Sequence, residues 1–228
     1  MKEDDLFQDI TDLIAGKKRP KTYIAIVLDE SGSMGIMRQK VINSFNEQIQ
    51  TIRSQSKDMD VYVSLVTFST VVNKILLNID INEVKEMTMD DYNPNGNTAL
   101  NDAIGLTIEK LKEVQPGENT SFLVNVITDG EENWSKKYRT DQIKSSISEL
   151  TETGIWTFVW MISNIDTEKI ISNYNVSSGN VMNYESSALG YASGAVRNTS
   201  ATVRYMNNRS TGEMNTADFY GGNTNDDR

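Results

Sequence analysis

The sequence predicts an α/β domain with an open, mostly parallel sheet, one antiparallel edge strand and helices on both faces. Two observations carry this prediction. Short runs rich in apolar and β-branched residues alternate along the chain with longer segments whose apolar residues recur at helical spacing. Some of the strand-like runs, such as 155–162, are apolar at nearly every position. Such strands are typical of parallel sheets that helices cover on each side.

The first half of this alternation begins with a predicted strand at 24–28. Apolar residues from Met37 to Ile52 then recur at helical spacing and predict a long amphipathic helix. Two strand-like runs follow at 61–68 and 71–77. Because the link between them is only a few residues long, we predict an antiparallel pair with the second strand at the sheet edge.

The second half continues in the same way. Its predicted elements are a helix at 100–111, a strand at 122–128, a helix at 143–150, a strand at 155–162, a short helix at 167–174, a short strand at 181–184 and a final helix at 188–206. Gly190 and Gly194 lower the helix propensity of the last segment.

The two ends of the chain differ from this central part. We predict an N-terminal helical arm and basic linker over 1–21, a folded domain over 22–208 and a flexible polar tail over 209–228. Four apolar residues of the arm fall on one helical face: Leu6, Ile10, Leu13 and Ile14. This face either packs back on the domain or docks on a partner, and the sequence leaves both possibilities open.

The 228-residue chain contains no cysteine and no histidine. Zinc, copper and non-haem iron sites usually need one or the other. A bound metal is therefore expected to be a hard ion held by oxygen, with Mg²⁺ first and Mn²⁺ or Ca²⁺ as alternatives. Catalysis by Ser-His-Asp or Cys-His groups is excluded for the same reason.

The formal net charge of −10 argues against nucleic acid as the main partner. No apolar run has the length of a membrane span, and the acidic start of the chain is unlike a signal peptide. We therefore expect a monomeric protein of the cytoplasm, in a bacterial cell or a phage-infected host, with the virion as an alternative location.

Oxygen-bearing side chains follow two predicted strands and lie in one further loop. Asp29, Ser31 and Ser33 come directly after the first strand, and Asp129 comes after a later one. Thr98 lies in a Gly-Asn-Thr loop, at or near the N-cap of the next helix. Because ligands of open α/β sheets bind at the carboxyl ends of the strands, this pattern favours one cation site.

Each part of the pattern also has a plainer explanation. Asp29 would suit a helix cap, Ser31 and Ser33 would suit an ordinary turn, and Thr98 would suit an N-cap. The combination of three separate segments, each at a strand end or loop, is what favours a common metal site over these alternatives.

These segments resemble the metal-ion-dependent adhesion site (MIDAS) of von Willebrand factor A (vWA) domains. The matching segments are Asp29-x-Ser31-x-Ser33, Thr98 within Gly-Asn-Thr, and Asp129 within Thr-Asp-Gly. The resemblance covers residues 22–206 and implies the vWA fold, which is a Rossmann-like open sheet. Within that family the chain looks most similar to stand-alone bacterial and phage proteins of the tellurite-resistance type.

The resemblance also implies a role for each of the five residues. Ser31 and Ser33 would ligate the metal directly, Thr98 and Asp129 would ligate it directly or through water, and Asp29 would mainly orient the ligands. One coordination position would stay open for an Asp or Glu side chain of a protein partner.

Several residues near these motifs are assigned other roles. We predict that Glu30 points outward and that Glu131 and Glu132 belong to a solvated loop rather than to the ligand set. Trp134, in the same polar loop, is the residue we select for contact with a partner. Two methionines are assigned to the core: Met34 and Met37.

Three classes of function are compatible with such a site. The first is a binding module that captures a partner's acidic side chain, and the second is a structural or assembly protein whose loops the metal stiffens. The third, a metal-dependent phosphohydrolase, is disfavoured because position 31 is serine where an Asp-x-Asp motif needs a second aspartate. The chain also lacks a P-loop nucleotide motif, so we expect no enzymatic activity.

Overall fold

The strands alternate with helices along the chain, as the sequence predicts. A computed structural model describes residues 18–215 and 217–221. The described strands are β1 (Lys21–Asp29), β2 (Asp60–Phe68), β3 (Val72–Asp80), β4 (Thr120–Thr128), β5 (Trp156–Ile162) and β6 (Val181–Asn183). The described α-helices are α1 (Arg38–Gln55), α2 (Leu100–Lys112), α3 (Thr140–Glu152), α4 (Thr167–Tyr174) and α5 (Ala188–Ser210). Short 3₁₀ helices cover Gly32–Met37 and Ser178–Asn180.

The described strands form one sheet in the order β3-β2-β1-β4-β5-β6. β3 pairs antiparallel with β2 at one edge, and the other pairs are parallel. This confirms the predicted mostly parallel sheet with one antiparallel edge strand. Because β1, β2 and β4 run in register, Asp29 lies opposite Phe68, and Leu28 lies opposite Ile127. The carboxyl ends of these strands therefore meet at one edge of the sheet.

Two apolar cores lie on opposite faces of the sheet. Ile24, Ile26 and Leu28 of β1 belong to the core beneath α1 and α5. Ala25 and Val27 of the same strand belong to the core beneath α2, α3 and α4. The alternation arises because successive side chains of a strand point to opposite faces. Burial on both faces explains why β1 and β4 read as nearly continuous apolar runs.

The last helix forms in spite of its two glycines and extends to Ser210. A Cβ atom at Gly194 would lie 3.0 Å from the Cβ of Tyr184, and one at Gly190 would lie 2.3 Å from the carbonyl oxygen of Glu185. The glycines therefore allow α5 to approach the segment after β6 closely, which offsets their lower helix propensity.

Part of the predicted polar tail packs on the domain. Phe219 is buried, and its N–H donates to Asn180 Oδ1 at 3.0 Å. The Tyr220 N–H donates to the Gly179 carbonyl at 2.9 Å, and the Tyr220 hydroxyl donates to Asn198 Oδ1 on α5. Two aromatic side chains in a segment of polar composition explain this difference from a flexible tail.

Residues 1–17 of the predicted N-terminal arm and linker (1–21) lie outside the described residues, and the proposed domain bounds stay predictions. Among the described helices, none combines the length and apolar character that a bilayer span requires.

Candidate metal centre

Asp29 ends β1 and is completely buried. Its Oδ1 accepts a hydrogen bond of 2.7 Å from the Ser31 N–H, and its Oδ2 accepts one of 2.6 Å from the Thr128 hydroxyl at the end of β4. Both carboxylate oxygens are thus held in place, one by the following loop and one by the neighbouring strand.

Hydroxyl groups connect the loop after β1 to the loop after β4. Ser31 Oγ and Ser33 Oγ lie 3.2 Å apart, and the Ser33 hydroxyl donates to Asp129 Oδ1 at 2.6 Å. Asp129 is buried at the start of the second loop. Two serines and two aspartates therefore converge, although Asp129 comes nearly a hundred residues after the other three in the chain.

Thr98 lies on a third segment beside these two loops. Its N–H donates to Asn133 Oδ1 at 2.9 Å, and its carbonyl accepts from the Asn133 N–H at 3.1 Å. The N-cap of α2 is Ala99, whose own side chain forms no capping hydrogen bond. A Cβ atom at Gly130 would lie 3.2 Å from Thr98 Oγ1 and 3.9 Å from Asp29 Oδ2. Thr98 Oγ1 and the Asp29 carboxylate thus border the same glycine.

All five predicted site residues therefore meet at the carboxyl edge of the sheet. The groups that these residues could offer to a metal are two carboxylates and three hydroxyls. Such an all-oxygen set suits a hard divalent cation. Among the described residues, no group of three or more His, Cys, Asp or Glu side chains could hold a metal. A cation at this edge would thus depend on the serine and threonine oxygens, and metal binding by the five residues stays a prediction.

Burial makes both carboxylates of the site more costly to ionise. Burial, with a smaller contribution from the charge of Asp129, raises the pKa of Asp29 to about 6 in spite of the opposing hydrogen bonds from Thr128 and Ser31. Burial also raises the pKa of Asp129. The Tyr184 hydroxyl is buried and has no hydrogen-bond partner among the described residues. Its pKa is raised mainly by burial, and further by the neighbouring Tyr191 and by the charges of Asp129 and Asp29.

A fourth segment, residues 92–95, forms hydrogen bonds with the loop after β1. No prediction from the sequence covers this segment. The Tyr92 hydroxyl is completely buried and donates to the main-chain carbonyl of Asp29 at 2.6 Å. The Asn95 N–H donates to the Glu30 carbonyl at 2.9 Å, and Arg38 Nε donates to the Tyr92 carbonyl at 2.7 Å. A lone tyrosine in a polar loop offers no pattern by which these contacts could be predicted.

The prediction that Glu30 points outward is wrong. Glu30 is buried, and its Oε1 accepts a hydrogen bond from the Asn93 N–H. The physical reason is that the loop before α2 covers this side chain and supplies a main-chain donor for its carboxylate. Met34 and Met37 are buried in the core beneath α1, as predicted.

The two glutamates after Asp129 have different roles. Glu131 is exposed and pairs with Lys169 at 2.7 Å. Glu132 does not belong to a merely solvated loop, since its carboxylate accepts main-chain N–H bonds from Asn101, Trp134 and Ser135. It thereby fixes the loop that carries Trp134, whose side chain is 40% exposed.

The chain belongs to the von Willebrand factor type A domain family, whose sequence pattern matches residues 24–193. This confirms the resemblance seen in the motifs. The closer similarity to tellurite-resistance proteins stays a prediction. No curated protein sequence matches the chain significantly.

Solved structures share the fold at low sequence identity. Proximal thread matrix protein 1 from the mussel byssus, in a structure with a zinc-occupied MIDAS motif, is 18% identical with a TM-score of 0.57. The alignment covers 81% of this chain and 46% of the mussel protein, so the chain spans less than half of that protein's length. A von Willebrand factor type A protein from Catenulispora acidiphila is 11% identical with a TM-score of 0.58, over 81% of this chain and 43% of the other. Manganese-loaded TRAP protein from Plasmodium vivax is 15% identical with a TM-score of 0.52, over 77% of this chain and 72% of the other.

Proposed function

We propose that this chain is a metal-dependent protein-binding module that captures an acidic side chain of a partner, and that it is not an enzyme. The observation that carries the proposal is the convergence of Asp29, Ser31, Ser33, Thr98 and Asp129 at one sheet edge. Three of these five side chains are neutral hydroxyls, so a divalent cation there would keep attraction for an external carboxylate.

The residues divide into ligands and orienting groups. Ser31, Ser33, Thr98 and Asp129 would hold the cation. Asp29 would orient them, because its two oxygens already accept bonds from Ser31 and Thr128. The bound cation would supply the positive charge that the buried carboxylates lack.

The metal we propose is Mg²⁺, and the structural relatives widen the choice. The mussel protein carries zinc in its MIDAS motif, and the Plasmodium protein is loaded with manganese. The absence of histidine and cysteine therefore does not by itself exclude zinc from a site of this kind.

Thermal unfolding of the metal-free protein tests the metal site directly. At a metal concentration of 100 times Kd, binding to the folded state alone stabilises it by about 2.7 kcal/mol. For a domain of this size that corresponds to a rise in Tm of roughly 5–10 °C. Mg²⁺, Mn²⁺, Ca²⁺ and Zn²⁺ are compared in wild type, in Asp129→Asn and in the control Asp141→Asn. Asp141 lies on α3 and pairs on the surface with Arg139.

We expect the metal to raise Tm in wild type and in Asp141→Asn, and to leave Tm unchanged in Asp129→Asn. A partner bound in Mg²⁺ should then be released by EDTA, and retention of the partner in EDTA would contradict the proposal. Metal stabilisation with no metal-dependent partner binding would instead support a structural role. Phosphatase turnover with Mg²⁺ that is lost in Asp29→Ala would favour an enzyme.

A further inference from the structure

The exposed apolar side chains are concentrated at the edge of the sheet that carries the candidate metal site. Among the described residues, eight large apolar side chains are exposed, and five of them lie in loops or helix starts at this edge. We call these five the apolar rim: Ile36, Val71, Met89, Trp134 and Leu189. The other three lie on β3, on α5 and in the C-terminal segment.

Ile36 and Val71 flank the site on the side of β1 and β2. Ile36 is 75% exposed in the 3₁₀ helix Gly32–Met37, which also carries Ser33. Val71 is 60% exposed in the turn after β2. Its carbonyl accepts from the Ser69 N–H, and the Ser69 carbonyl accepts from the Ala99 N–H next to Thr98. The turn that presents Val71 is therefore attached to the Thr98 segment.

The remaining members surround the site on its other sides. Arg38 bonds the carbonyl of Met89 and so holds this residue beside the end of the first loop. Trp134 follows Asn133, which bonds both main-chain groups of Thr98. Leu189 is 80% exposed in the first turn of α5, which begins after β6 at the same carboxyl edge of the sheet.

Hydrogen bonds fix the main chain that presents these exposed side chains. Glu132 fixes the Trp134 loop, Tyr92 fixes the segment after Met89, and the Ser187 side chain caps the start of α5. Burying one large apolar side chain in an interface strengthens binding about tenfold or more. Clustered exposed apolar groups mark interaction surfaces on soluble proteins.

The charges at this edge limit what can cover the rim. Lys136 Nζ lies 5.1 Å from the centre of the Trp134 ring and forms no ion pair with a described residue. Lys169 is already paired with Glu131. Lys136 could attract one acidic group beside the metal, but the net charge of −10 disfavours a partner segment that is rich in acidic residues throughout.

We propose that the occupant of the apolar rim is a protein segment with one isolated carboxylate flanked on both sides by apolar side chains. This inference rests on the proposed function, since the carboxylate would bind the metal while its neighbours bury the rim. An acidic run, which the metal alone would also attract, is the sequence class that the rim disfavours.

The test selects peptides from a displayed random library on the immobilised full chain. Peptides of about 12 residues span roughly 40 Å when extended and can cross the rim. They bind in the presence of Mn²⁺ and are eluted with EDTA. We expect the eluted sequences to contain a single Asp or Glu with Leu, Ile, Phe or Met on both sides.

The best-binding peptide is then measured by fluorescence anisotropy against rim variants and a matched control. Ile36→Ser and Leu189→Ser should each weaken binding by about fivefold or more, since one buried aliphatic side chain corresponds to at least that factor. Val196→Ser changes an equally exposed residue on α5 away from the rim and should leave the affinity unchanged. The rise in Tm with Mn²⁺ should be the same in all three variants.

The outcomes separate this inference from the function on which it rests. Acidic peptides with polar flanks that bind the rim variants as tightly as wild type would overturn the inference and leave carboxylate capture intact. A selection without any EDTA-released acidic peptide would overturn both.

Discussion

The Ser33 hydroxyl donates a 2.6 Å hydrogen bond to Asp129 Oδ1, across 96 positions of sequence. This bond joins the loops after two adjacent parallel strands and brings together two oxygens of the candidate ligand set. A cation that uses both oxygens would replace the bond with two metal contacts.

Ser33→Ala should therefore weaken metal binding without unfolding the domain. Ser33 is exposed enough that loss of its hydroxyl leaves no cavity in the core. We expect Kd for Mn²⁺, measured by isothermal titration calorimetry, to rise about tenfold or more, in line with the loss of one charge-assisted contact. Ser200→Ala on the outer surface of α5 is the control and should bind as wild type does. Equal affinities in the two variants would remove Ser33 from the ligand set.

Tyr92→Phe should loosen the first loop from its supporting segment. The lost hydroxyl leaves the Asp29 carbonyl without its 2.6 Å donor in a buried position. Chemical denaturation should show a loss of about 1–2 kcal/mol in the free energy of unfolding, and metal affinity should fall as well. Tyr62→Phe, on β2 near its amino end, should change stability by less and leave metal affinity unchanged. Unchanged metal affinity in Tyr92→Phe would show that this hydroxyl does not position the site.

The neighbouring residues Glu131 and Glu132 should respond very differently to substitution by alanine. Glu132→Ala leaves three main-chain N–H groups without their carboxylate partner and should destabilise the fold by about 2 kcal/mol or more. Glu131→Ala removes only a surface ion pair with Lys169 and should cost less than about 1 kcal/mol. Urea denaturation of both variants checks this, and equal losses would contradict the assigned role of Glu132.

The raised pKa of Asp29 predicts how the metal-free protein responds to pH. Folding raises the pKa from 3.8 to about 6, so the folded state binds the proton more tightly than the unfolded state does. The contribution of Asp29 to stability is therefore greatest below pH 4 and falls as pH rises toward 6. In metal-free buffer, wild type should lose stability relative to Asp29→Asn over this interval. A gain over the same interval would contradict the sign.

Metal binding should show the converse dependence on pH. Protonation of Asp29 would weaken its hold on the ligands, and the proton would compete with the cation for Asp129, whose pKa is also raised. The affinity for Mg²⁺ should therefore fall as pH drops through about 6. Titrations between pH 5 and 8 measure this competition. Affinity that stays constant over that range would mean that the carboxylates do not take part in binding.

Patterns in the sequence predict the sheet, and the meeting of the five candidate site residues at its carboxyl edge, because each has a local signature. Strands buried on both faces produce apolar runs, and the ligand residues follow such runs directly, as Asp29 follows β1 and Asp129 follows β4. Parallel strands then bring these ends to one edge whatever their separation in the chain.

The contacts that support the site have no such signature. Tyr92 bonds Asp29, and Asn93 bonds Glu30, only because the segment before α2 folds over the first loop. No spacing in the sequence predicts this fold. Phe219 and Tyr220 pack on the domain through two aromatic rings in a segment whose composition is otherwise polar. The exposure of the apolar rim likewise depends on tertiary packing, since apolar residues such as Ile36 read in the sequence as further core positions.

The central claim is that Ser31, Ser33, Thr98 and Asp129 surround one divalent cation. A crystal structure of the protein soaked in Mn²⁺, with diffraction data collected for the anomalous signal of manganese, tests it most directly. The account predicts one strong anomalous peak at the carboxyl edge of the sheet, bounded by oxygens of these residues. A strong peak elsewhere with this edge empty, in crystals where the edge is open to solvent, would contradict it.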